Sequence, residues 1–127
     1  MNGLHILAEF HDCRCDNELM QQAAVLRELC VTTCERAGLV VVAETFYGFG
    51  TPQEPDGATG AVVLAESHLA IHTWPELGAA TLDLYVCNFS RDNREAAEAA
   101  FTLLERAFRP ERTRRQDVQR GEAEPEA

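Results

Sequence analysis

Between residues 61 and 87 the sequence alternates apolar and polar side chains through three short runs, AVVLAES, HLAIHTW and AATLDLYVC, with a tight PELG turn joining the last two. A period of two specifies strands. It sends Leu69, Ile71 and Thr73 to one side and His68, Ala70, His72 and Trp74 to the other. In the last run Leu82, Leu84 and Val86 form the apolar face, opposite Thr81, Asp83, Tyr85 and Cys87. A sheet with one apolar face needs a cover, and two stretches at helical spacing can supply it. Leu19, Ala23, Leu26, Cys30, Thr33 and Ala37 recur between a possible N-cap at Asp16 and a stop at Gly38. Ala97, Ala100, Phe101, Leu104 and Phe108 form a second stripe over 92–108, ended by Pro110. LHILAEF at 4–10 and LVVVAETFYGF at 39–49 read as further strands. The expected fold class is therefore α+β, a two-layer sandwich with a largely antiparallel sheet and helices on one face.

Two segments fall outside this pattern. GFGTPQEPDGATG, with four glycines and two prolines, is expected to be a loop longer than a hairpin requires. Residues 109–127 are polar, charged and aperiodic, and are expected to form a disordered tail behind a single domain at 1–108.

The 11 Arg and 21 acidic residues give a formal charge of -10, which disfavours nucleic acid and anionic membranes as partners. No signal-peptide pattern or long apolar run is present, so a soluble, cytoplasmic protein is expected. Cys13, Cys15, Cys30 and Cys34 do not follow a standard zinc-finger or ribbon spacing, and no metal is expected. The chain contains no lysine. That excludes chemistry on an internal lysine Schiff base, including the usual anchoring of pyridoxal phosphate.

His72 and Cys87, both on the less apolar faces, could be ordinary polar residues of a half-exposed sheet. Phe46, Tyr47 and Phe49 could be core aromatics or could stack on a flat ligand. The motif AESHLAIHTWPE, followed by LDLYVC, favours a more specific reading: it resembles the prokaryotic S-adenosylmethionine decarboxylase proenzymes, over about residues 4–108.

The resemblance implies that the chain cuts itself between Glu66 and Ser67, giving a β chain of residues 1–66 and an α chain of 67–127. Ser67 would attack the Glu66 carbonyl, and His72 would take the Cα proton, a task suited to imidazole near neutral pH. Elimination and hydrolysis with loss of ammonia would leave a pyruvoyl group at residue 67, the cofactor in place of pyridoxal phosphate or metal. Cys87 occupies the family's proton-donor position. Thr59 stands where a serine usually assists processing. Glu76 would accept hydrogen bonds from the ribose hydroxyls and Phe49 would stack on adenine, with Phe10 as a further candidate on the first strand. The implied product is the aminopropyl donor for spermidine synthesis.

Five extended residues place Ser67 and His72 about 16 Å apart and on opposite faces, which suggests a homodimer with shared active sites. The segment between Phe49 and Thr59 is longer than the family pattern and brings in Glu54 and Asp56. An added carboxylate there could instead bind the distal cation of arginine or ornithine in a related pyruvoyl-dependent decarboxylase. A third possibility is an unprocessed, non-catalytic homologue.

Overall fold

The structure, a computed structural model, describes residues 2–122. Six strands, β1 (Asn2–Cys13), β2 (Val41–Gly50), β3 (Pro55–Leu64), β4 (Ser67–Trp74), β5 (Ala79–Cys87) and β6 (Pro110–Gly121), form one sheet in the order β2-β3-β4-β5-β1-β6. Every neighbouring pair is antiparallel. Helices α1 (Asn17–Gln21), α2 (Ala23–Arg36) and α3 (Arg94–Phe108) complete the expected α+β sandwich.

The core follows the period-two pattern. Ile6, Phe10, Val62, Leu69, Ile71, Leu84 and Val86 are buried beneath Leu26, Cys30 and Cys34 of α2 and Ala97, Ala100, Leu104 and Phe108 of α3. Apolar burial on this scale contributes roughly 25 cal/mol per Å² removed from water, which makes the register costly to shift.

Asp16 does precede the first helix, but its side chain makes no cap hydrogen bond. The single helix expected over 16–37 is two helices, interrupted at Gln22 in an extended conformation (φ -108°, ψ 122°). No glycine or proline marks the break. A tertiary contact holds it open: buried Thr73 on β4 donates its hydroxyl to the Met20 carbonyl at 2.8 Å, and accepts from the Ala58 N–H at 2.9 Å. The Met20 carbonyl, left without its i+4 amide by the break, is thereby satisfied.

The expected long loop is mostly strand. β2 continues to Gly50 and β3 begins at Pro55, so only four residues connect them, and Tyr47, Gly48 and Gly50 pair with Thr59, Ala58 and Pro55. Glycines at positive φ (Gly50, +79°; Gly57, +101°) bend this hairpin without ending its ladder.

The disordered tail expected from 109 onward is corrected over 110–121, which form the edge strand β6, paired with β1 from Asn2↔Gly121 to Cys13↔Pro110. Residues 123–127 of that tail lie outside the described residues. Periodicity missed β6 because little of it is apolar and buried. Backbone hydrogen bonds hold it, aided by the Arg115 guanidinium over the Phe101 ring at 4.6 Å and by Arg115 ion pairs with Glu98 and Asp117. An arginine-rich edge also discourages pairing with other chains.

Candidate active site

The candidate residues gather at the two ends of β4. At its start, a two-residue turn, Ala65–Glu66, connects Leu64 to its cross-strand partner Ser67. Glu66 adopts φ +66°, a left-handed conformation that costs a non-glycine residue roughly 1–2 kcal/mol. The Ala65 N–H donates to the Val40 carbonyl at 2.9 Å, and the Ser90 hydroxyl donates to Glu66 Oε2 at 2.9 Å. The peptide between Glu66 and Ser67 therefore lies in a tightly held, strained turn.

Pairing of β4 with β5 stops at His68↔Tyr85, and a side chain extends the ladder one step. The Cys87 N–H donates to Ser67 Oγ at 3.2 Å, with both residues only 8% exposed. The Cys87 carbonyl accepts from buried Asn93 Nδ2 at 2.9 Å. Side chains thus hold both backbone groups of Cys87 against Ser67 and the start of α3. Beside them, Tyr85 and His68 lie 5.6 Å apart, and His5 bonds Asp83 at 3.0 Å. Burial, with the neighbouring Cys87, pushes the Tyr85 phenol above its ordinary value. Burial and the nearby His5 push the His68 imidazole down, favouring its neutral form.

At the other end of β4, on the sheet face without helices, lies an open cavity of about 420 Å³ lined by Phe49, Asp56, Thr59, His72, Trp74 and Glu76 among others, within the usual size range for small-molecule sites. Thr59 and His72 are cross-strand partners, and the Thr59 hydroxyl hydrogen-bonds His72 Nδ1. With hydrogen on Nδ1, this contact leaves Nε2 free to accept a proton. Trp74 packs 6.5 Å from His72. Phe49 is 48% exposed, with its ring available beside the cavity. Glu76 is the middle residue of the single turn at 75–77 that joins β4 to β5.

The structure thus brings Ser67, Cys87 and Glu66 together at one end, and His72, Thr59, Phe49 and Glu76 together at the other. Phe10 belongs to neither and is corrected to a core residue: it is fully buried, with its ring 5.8 Å from Phe101 and 5.6 Å from Phe108 under α3. Its place on β1 points it at the helices, the face opposite the cavity. Cys30 and Cys34 are also core residues, and burial pushes their thiols up, Cys34 to about 12. Among the described residues no group of three or more His, Cys, Asp or Glu is arranged to hold a metal.

Sequence reasoning missed Asn93, Trp74 and the cavity position of Asp56. Trp74 shares the parity of His72 and could have been found from that. Asn93 gave no local signal, because its partner arrives from another element.

The family model described as S-adenosylmethionine decarboxylase matches residues 4–121. The S-adenosylmethionine decarboxylase proenzyme of Aquifex aeolicus is 38% identical over 125 residues, covering 98% of this chain and 85% of its own. The proenzyme of the same name from Thermoplasma acidophilum is 35% identical over 125 residues, covering 98% and 88%. The crystal structure of the Aquifex aeolicus adenosylmethionine decarboxylase superposes with a TM-score of 0.83 at 34% identity, covering 98% of this chain and 95% of that one. With a matched span that takes in both ends of β4 and reaches the last residue of β6, the chain belongs to the S-adenosylmethionine decarboxylase family.

Proposed function

We propose that this protein is a self-processing, pyruvoyl-dependent decarboxylase of S-adenosylmethionine, making the aminopropyl donor for spermidine synthesis. The observation that carries the reading is Ser67: buried, directly after a left-handed Glu66, with its Oγ accepting from the Cys87 N–H.

Each group has a role in this scheme. Ser67 Oγ attacks the Glu66 carbonyl, exchanging a strained amide for an ester. His72, oriented by Thr59, takes the Cα proton of residue 67, and the ester breaks with Glu66 as the new carboxyl terminus. The residues present fit a carbonyl group made at residue 67, because that position is buried and lies against the Cys87 backbone, out of reach of bulk water. Such a group supplies the electrophile and electron sink for loss of carbon dioxide. Cys87, whose backbone N–H meets Ser67 Oγ and whose carbonyl is held by Asn93, returns a proton from its thiol. Phe49 stacks on the adenine and Glu76 accepts from the ribose hydroxyls, fixing the nucleoside.

Ser67 and His72 stand about five strand residues apart, roughly 16 Å, and on opposite faces. The active site is therefore shared in a homodimer, with His72 of one protomer serving Ser67 of its partner. Mixing a Ser67→Ala protein with a His72→Ala protein should restore cleavage of half the intact Ser67 sites, and failure to restore any would count against sharing.

Intact mass of the purified protein, together with carbon dioxide release from S-adenosylmethionine, arginine and ornithine, tests the whole reading. Two chains, split before residue 67, and release from S-adenosylmethionine alone are expected. A single uncut chain in active material, or release from arginine or ornithine, overturns it. The names of the relatives do not favour the amino-acid or inert alternatives.

A further inference from the structure

Asp56 occupies the extra length of the β2–β3 hairpin and lines the same cavity as Phe49, His72, Trp74 and Glu76. Two backbone features fix it there. Gly50, at φ +79°, passes so close that an added Cβ would lie 3.1 Å from Asp56 Cβ and 2.3 Å from the Glu54 carbonyl oxygen. Gly57, at φ +101°, presses on the turn carrying Glu76, where an added Cβ would lie 2.9 Å from Pro75 Cδ. The tip between them is closed by paired Thr51–Glu54 backbone hydrogen bonds of 3.1 Å. The hairpin therefore holds Asp56 against the cavity mouth.

Asp56 is an exposed residue at this mouth. Among the described residues its carboxylate makes no hydrogen bond and no ion pair, whereas Glu9, Glu44, Asp83, Glu98 and Asp117 each have a cationic or histidine partner. Among the described residues no arginine lines the cavity, and the one other carboxylate there is Glu76. A partly apolar cavity with aromatic walls and a free carboxylate selects for a cation on the ligand.

We propose that Asp56 is a specificity-determining residue that reads the fixed positive charge of the substrate sulfonium. The inference rests on the proposed function, in which Glu76 is committed to the ribose hydroxyls and the amine lies at residue 67. The sulfonium, which joins the nucleoside to the methionyl chain, is then the one remaining cationic group for this carboxylate. Glu76 secures a nucleoside; Asp56 separates the charged sulfonium from the neutral thioether of the same skeleton.

The test compares the two sulfur states in Asp56→Asn, a substitution that removes charge and keeps shape. KM for S-adenosylmethionine should rise about 3- to 10-fold, the effect of one partly screened charge at close range, with kcat falling less than twofold. The inhibition constant of S-adenosylhomocysteine, whose sulfur is uncharged, should change less than twofold. Asp56→Glu should recover most of the lost affinity, and the effect should shrink at high salt. An unchanged KM, or equal weakening of both ligands, overturns the proposal. Intact mass of the variant checks that folding and cleavage have survived. If the unsubstituted protein does not decarboxylate S-adenosylmethionine at all, the proposed function fails and this inference with it. A defect confined to the Asp56 comparison leaves the function standing.

Discussion

The two ends of β4 differ in what surrounds them. At the start, Ser67 is buried and held by the backbone N–H of Cys87 on β5, whose carbonyl is held in turn by Asn93 just before α3; at the end, His72, Trp74 and Glu76 face an open cavity beside an exposed Phe49. The first environment suits a reaction the chain performs on itself, where water must be kept away and a few atoms held still. The second suits recognition of a ligand that enters and leaves. One strand serves both because its side chains alternate between faces.

The sharpest way to separate the ends is Ser67→Ala. It should abolish chain cleavage and decarboxylation while leaving the cavity able to bind S-adenosylmethionine, read by intact mass and calorimetry. Loss of binding in the folded variant would mean that the two ends are not independent.

Thr73→Val tests what holds the cavity end in place. Removing the hydroxyl leaves the Met20 carbonyl and the Ala58 N–H unpaired in the core, which should cost about 2–4 kcal/mol in urea unfolding. A cost below about 0.5 kcal/mol would show that the hydroxyl does not join the hairpin to α1.

Glu76→Gln touches recognition alone. KM should rise about tenfold, as expected for loss of a charge-assisted hydrogen bond, and the chain should still be cut. Slower cleavage would place Glu76 in the processing machinery as well.

The smallest effect concerns pH at the start of β4. His68 is held below its ordinary pKa, first by burial and then by His5. As pH falls through about 6.5, the unfolded chain binds a proton that the folded one resists, so the folded state loses stability until pH reaches the lowered value. His68→Gln should flatten that part of the melting-temperature profile by about 1–2 °C, a small effect because the imidazole is largely screened by solvent.

Much of this molecule could be read in advance where the signal was local. Alternation from residue 61 to 87 gave three strands and the faces of His72 and Ser67, and helical spacing gave α3. A motif of a few residues pointed to the family and to Ser67, His72 and Cys87. Phe10 was misplaced because its identity as an aromatic says nothing about which face of β1 it occupies; Phe101 and Phe108, more than 90 residues away in sequence, define the face it joins. β6 escaped because charged residues can complete a ladder through their backbones without any apolar pattern.

What the amino-acid order determined alone was the side each strand residue takes, the covering stripes of the helices, and the absence of any lysine to carry a cofactor. Those follow from chain geometry and composition. Only the tertiary structure decided that Ser67 meets Cys87 through a hydrogen bond, that Thr73 holds open the gap between α1 and α2, and that Asp56 reaches the cavity of Glu76. Each of these joins residues from different elements, and no local periodicity encodes a contact whose partner is placed by the folding of another segment.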